Sequence, residues 1–153
     1  MNALSLYPTI EAQGVETAEP RCLDRRCSLC PLAGGAHTRC IPADGQPGGL
    51  LIVGEAPGRQ EDAVGRPFIG PSGDVIRRAA AKFWNGPVVY DNALRCFPGK
   101  KVPGVKSIAA CQGYLKQTII EAKPKRIITL GAVAALSVLG RKEIGRASCR
   151  ERV

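Results

Sequence analysis

Apolar residues fall in short runs set apart by glycine and proline. Leu50-Leu51-Ile52-Val53 is an apolar run with glycines on both sides, which predicts a short buried strand. It runs into Gly54-Glu55-Ala56-Pro57-Gly58, a turn-forming loop in which glycine lets backbone approach a ligand. From Asp74 to Phe83, the residues Val75, Ile76, Ala79, Ala80 and Phe83 recur at helical spacing, with Arg77, Arg78 and Lys82 on the other faces. Ser72 is placed to cap this helix, and Asn85-Gly86-Pro87 ends it. Val88-Val89-Tyr90 predicts a second strand, closing at Asp91-Asn92. Between Ser107 and Ala122, the positions Ile108, Cys111, Leu115, Ile119 and Ala122 share one helical face, so Cys111 is expected to point inward. Lys123-Pro124-Lys125 breaks that helix. Arg126 to Leu130 predicts a third strand, and Gly131 opens a small-residue helix from Ala132 to Leu139. Pro31 to Gly49 and Phe97 to Lys106 have no period and are expected to be loops. Strands alternating with helices predict an α/β fold with a parallel sheet.

In such a sheet, a strand feeding a glycine-rich loop and then a helix builds a site at the strand's carboxyl end. Here the loop is followed by the acids Glu61 and Asp62 and by one aromatic, Phe68, in Gly65-Arg66-Pro67-Phe68. A nucleotide phosphate loop does not fit: no Gly-Lys-Ser/Thr ending is present, and Glu55, Glu61 and Asp62 would repel phosphate. A surface loop merely rich in Gly, Pro and acids is the plain alternative.

Charge adds a partner class. Lys plus Arg number 22 against 13 Asp plus Glu, a net +9 in 153 residues, which suits a polyanion. No apolar run is long enough for a transmembrane helix, so no membrane role is expected. Residues 1–20 lack a basic start and carry Glu11, Glu16 and Glu19. They are expected to be a flexible lead-in rather than a signal peptide, which places the chain in the cytoplasm.

The chain has seven cysteines. Without an export signal, disulfides are disfavoured. Cys27-Ser28-Leu29-Cys30 is a C-x-x-C pair among arginines, and Cys96 and Cys111 lie far downstream. Thiolates from two such pairs would suit a [4Fe–4S] cluster or a zinc ion, though a lone C-x-x-C also fits a redox pair, and buried cysteines also serve as core packing. His37, the single histidine, sits in a loop and is assigned no role.

GEAPG, then Glu61-Asp62, then Gly65-Arg66-Pro67-Phe68, then Gly70 to Gly73 resemble, in order and spacing, the first motif of the family 4 (iron–sulfur) uracil-DNA glycosylases. PKRIITLGAVA, from Pro124 to Ala134, resembles a later segment of the same family. The resemblance covers about residues 22–140. It implies a three-layer α/β/α sandwich around a parallel sheet, in a domain spanning 21–142. It also implies hydrolysis of the N-glycosidic bond of uracil in DNA, initiating base excision repair. The implied cluster ligands are Cys27, Cys30, Cys96 and Cys111, iron–sulfur being favoured over zinc, while Cys22 and Cys40 fall outside the pattern as apolar fillers or exposed thiols. Phe68 would stack on a flipped uracil and Asn92 would pair with its edge. Backbone of Gly54, Glu55 and Ala56 would line the pocket. Glu61 would orient water or stabilise the sugar cation, with Glu55 and Asp62 open as helpers. The family commonly has Thr where this chain has Asp91. The partner would be uracil-containing DNA, bound by a monomer.

A competing function is a non-catalytic iron–sulfur DNA-binding module of repair or replication; another is a relative with a different base choice. A His-Pro-Ser-like loop after a fourth strand would separate these, and this sequence reaches only the third. It is therefore expected to be truncated at the carboxyl end and weakly active or inactive as an enzyme. Residues 143–153 have no apolar period and are expected to be a non-native tail.

Overall fold

The structure is a computed structural model that describes residues 27–140. The expected lead-in 1–20 and tail 143–153, with Cys22 and Cys149, lie outside the described residues.

The described chain forms β1 (Asp44–Gly45), β2 (Leu50–Gly54), α1 (Arg59–Val64), α2 (Pro71–Phe83), β3 (Val88–Asn92), α3 (Val105–Ala122), β4 (Arg126–Thr129) and α4 (Ala132–Leu139), after a single 3₁₀ turn at Pro31–Gly34. The sheet order is β1-β3-β2-β4. β2 is parallel to both neighbours, with Leu50 opposite Val88 and Arg126, and Gly54 opposite Asn92. β1 pairs antiparallel with β3, Asp44 opposite Tyr90. The fold is thus the expected α/β type, with one departure: a short antiparallel edge strand lies inside the segment expected to be loop.

β2 is apolar throughout because it is central and covered on both faces. Leu51 and Val53 pack with Val89, with Leu115 and Ala122 of α3, and with Ala134 of α4. Leu50 and Ile52 pack on the other face with Tyr90, Phe68 and Ala80 of α2. Alternation along one strand therefore supplies two cores, the middle layer of a three-layer arrangement. Burying each such aliphatic side chain is worth roughly 1.5–3 kcal/mol. A third cluster, Leu32, Ala33, Leu94, Cys96 and Cys111, closes the carboxyl end of the sheet against the 3₁₀ turn.

Several expectations are corrected. α2 begins at Pro71, with Gly70 as its N-cap, and no side chain caps it, so Ser72 is a helical residue rather than the cap. Proline at the first position supplies the fixed φ and needs no donor there. Val75 and Phe83 are exposed, and α2 instead turns Gly73, Ile76, Arg77 and Ala80 toward the protein. The longer aliphatic spacing misled because glycine and a half-buried arginine occupy the inner face. α1 lies where a loop was expected. It is a helix of six residues ended by Gly65, whose φ of 80° is left-handed and whose N–H donates to the Glu61 carbonyl. The strands at 50, 88 and 126 and the helices ending at 83, 122 and 139 stand where expected, and Cys111 is buried as expected.

Candidate functional site

Parallel strands end together, so the carboxyl ends of β2, β3 and β4 open one cleft. A cavity of about 590 Å³ lies there, lined by the loop Gly54 to Gly58, by Glu61, by Phe68 and Gly70 to Gly73, by Asn92 and by Leu130. Gly54, Glu55, Ala56, Glu61, Phe68 and Asn92, singled out from sequence, all line it. Ile76 and Leu130 were missed. Leu130 was legible in principle, because it follows the end of a strand parallel to β2.

Gly54 is a point of close approach in this lining. A Cβ placed there would stand 2.4 Å from Asn92 Oδ1 and 2.9 Å from Phe68 Cζ. The amide and the ring therefore rest directly on the strand end. The ladder continues beyond the strands, with Ala93 N–H donating to the Gly54 carbonyl and Leu94 N–H to that of Glu55, each at 2.9 Å. Gly54→Ala is expected to cost about 1–3 kcal/mol through overpacking. A lowered urea midpoint at unchanged slope would show it, and an unchanged midpoint would mean that the ring and amide are free to move aside.

Phe68 is buried and has a φ of 58°, a left-handed conformation uncommon for a residue with a Cβ. Its ring lies 5.5 Å from that of Tyr90, tilted by 45°.

The two neighbouring acids of α1 diverge. Glu61 is buried and faces the cavity, and its Oε1 accepts the Gly70 N–H at 2.9 Å. Asp62, one residue on and about 100° round the helix, turns away. Its oxygens accept the His37 N–H at 3.0 Å and the Thr38 N–H at 2.9 Å. Asp62 therefore holds the loop carrying Cys40, and both its oxygens are engaged away from the cavity. Glu55 lines the cavity with its side chain exposed.

Behind Asn92 stands a buried ion pair. Asp91 Oδ2 meets Arg95 Nη2 at 2.7 Å, with side chains only 1% and 5% exposed. Asp91 Oδ1 accepts the Asn92 N–H at 2.8 Å. Arg95 Nη2 also donates to Thr118 Oγ1 at 2.6 Å, while its Nε has no partner among the described residues.

Cys27, Cys30, Cys96 and Cys111 are free thiols. They share one neighbourhood: Cys30 packs against the buried cluster that contains Cys96 and Cys111. Burial pushes the Cys96 thiol up and the Cys111 thiol up to about 11, with the other thiols adding to both shifts. Two backbone groups work the other way, the Cys40 N–H at 3.3 Å from Cys96 Sγ and the Arg95 N–H toward Cys111. Tyr114 Oη lies 3.6 Å from Cys27 Sγ. Among the described residues no three His, Cys, Asp or Glu groups are placed to hold a single metal ion. A cuboidal cluster spreads its four thiolates wider than the tetrahedron around one zinc, and amide donors aimed at sulfur suit thiolates that carry charge. Four thiols, two of them met by backbone amides, are a donor set able to hold a metal group. Cys40 itself is buried and disulfide-bonded, which corrects its expected role as a filler or exposed thiol.

The basic loop after Cys96 leaves Lys100 and Lys101 exposed, and Lys106, expected in the loop, is exposed in the first turn of α3. No helix among the described residues is long and apolar enough to cross a membrane.

The family model of the Uracil DNA glycosylase superfamily matches residues 45–151. The chain is 36% identical over 127 residues to the type-4 uracil-DNA glycosylase of Pyrobaculum aerophilum, covering 78% of this chain and 64% of that protein. It is 34% identical over 110 residues to that of Sulfurisphaera tokodaii, covering 69% and 50%. With the Thermotoga maritima protein of the same name it shares 30% over 115 residues, covering 72% and 59%. The chain therefore spans between half and two thirds of these curated relatives.

Proposed function

This chain belongs to the uracil DNA glycosylase superfamily, and from that premise we propose that its cleft serves the hydrolysis of the bond between uracil and deoxyribose in DNA. The observation that carries the proposal is the meeting of Gly54, Phe68 and Asn92 at one strand end, with Glu61 lining the same cavity. A base inside duplex DNA is out of reach, so the nucleotide swings out of the stack and into the cleft. The Phe68 ring takes one face of the base, an interaction worth roughly 1–3 kcal/mol. The Asn92 amide, a donor beside an acceptor, pairs with the uracil edge. Cytosine presents the reversed pattern and is rejected. The Gly54 to Ala56 backbone forms the floor.

Water adds to C1′ as the C1′–N1 bond breaks; the electron pair leaves with N1, and the proton that the water loses ends on the uracil. The products are uracil and an abasic site, the entry to base excision repair. Positive charge gathers on the sugar ring in the transition state, and the Glu61 carboxylate stabilises it or orients the water. The engaged oxygens of Asp62 argue for Glu61 as the acting acid. The reading includes a [4Fe–4S] cluster, which Cys27, Cys30, Cys96 and Cys111 would hold. That cluster would tie the 3₁₀ turn, the loop after β3 and α3 together, and hydrolysis asks no electron of it.

In single-turnover assays on an oligonucleotide with one uracil, Asn92→Ala and Phe68→Ala are expected to lower uracil release by about 10–10². Glu61→Gln should slow release more than it weakens binding. Release equal to the parent in all three variants would overturn the assignment. Uracil-DNA binding with no release at all, in a protein extended to the length of these relatives, would leave it a binding module.

A further inference from the structure

Arg77 lies outside the cavity lining, yet its guanidinium converges on Phe68 from behind. Nε donates to the Phe68 carbonyl at 2.8 Å, and Nη2 donates to the Pro67 carbonyl at 3.0 Å. Nη2 also meets Asp44 Oδ2 at 2.7 Å, and the guanidinium carbon sits 4.1 Å over the Tyr90 ring. Burial raises the Asp44 carboxyl, but the hydrogen bonds from Arg77 and Arg66 outweigh it and hold the carboxyl below its usual range. Asp44 thus stays charged and anchors the arginine to the edge strand β1. One turn earlier on the same face of α2, a Cβ at Gly73 would stand 2.3–2.6 Å from the Phe68 backbone. Gly73 makes room for the turn that Arg77 clasps.

Without such a clasp, a phenylalanine at a φ of 58° would relax toward the ordinary β or α region and carry its ring off the strand end. A lysine could keep the charge over Tyr90 but not the planar fork that spans two carbonyls and a carboxylate. We infer that Arg77, braced by Asp44 and stacked on Tyr90, is the positioning residue that presents the Phe68 ring to the base. The consequence for the base rests on the stacking proposed for Phe68. The positioning itself does not.

Two measurements separate them. The first is amide exchange, followed by mass spectrometry, in the parent, Arg77→Gln and Arg77→Lys. Segment 65–70 should exchange faster in both variants, with α3 unchanged. Parent-like exchange of segment 65–70 in Arg77→Gln overturns the inference, and parent-like exchange in Arg77→Lys alone overturns the role of the fork. The second is affinity for an oligonucleotide with a single 2′-fluoro-2′-deoxyuridine, which resists cleavage, against the same strand with cytosine. Arg77→Gln is expected to lower the preference by about ten-fold in the parent and not at all in a Phe68→Ala background. An equal loss in both backgrounds overturns the inference, because Arg77 would then act by another route. If Phe68→Ala alone leaves the preference intact while Arg77→Gln still loosens segment 65–70, the stacking role falls and the positioning stands.

Discussion

Asp91→Ala is expected to destabilise the protein by about 3–5 kcal/mol, more than any cavity residue would. The pair it breaks is almost wholly buried, and among the described residues the guanidinium left behind keeps only Thr118 Oγ1 and, at 3.4 Å, the Tyr114 carbonyl as acceptors. Its Nε already lacks a partner among the described residues, so nothing nearby compensates for the lost carboxylate. The change also removes the acceptor of the Asn92 N–H, which ties stability to the position of the amide. Asp91→Asn keeps an oxygen for that N–H and should still lose most of the ion pair. Urea denaturation of the three proteins measures this. A loss under about 1 kcal/mol for Asp91→Ala would mean that Arg95 reaches water and that the pair is dispensable.

Cys96→Ser is expected to abolish iron binding, which in the anaerobically prepared parent should reach about four irons per chain with a brown colour. Cys27→Ser should do the same. Cys40→Ser should keep the iron, because what Cys40 directs at Cys96 Sγ is its backbone N–H, which serine retains. Stoichiometric zinc with no iron in the parent would overturn the cluster and leave the thiols as a mononuclear site.

The strands and longer helices were legible because their apolar positions follow a simple period, and β2 most clearly, since a run covered on both faces needs no alternation. The inner face of α2 was not legible. Its inward positions include a glycine chosen for clearance and an arginine chosen for two carbonyls, and hydrophobic periodicity registers neither. α1 was hidden for a related reason: its buried residues are Glu61 and Asp62, held by hydrogen bonds rather than by apolar packing. The cavity residues were found through motif spacing, whereas Arg77 carries no motif and emerges only when Phe68 is seen in its left-handed turn. Asp91 looked incidental in sequence. Arg95, four residues on, gives it a partner.

Gly54 and Asn92 occupy the same rung of parallel β2 and β3. Neighbouring strands lie about 4.8 Å apart, a spacing set by backbone hydrogen bonds and nearly indifferent to side chains. The gap between the floor of the cleft and the residue proposed to read the base is therefore a fixed gauge rather than an adjustable one. Substitutions in the surrounding loops can tilt or uncover what enters, but they cannot widen that gauge. A change in the size of base accepted would have to come from the side chains that line the cavity, not from that spacing.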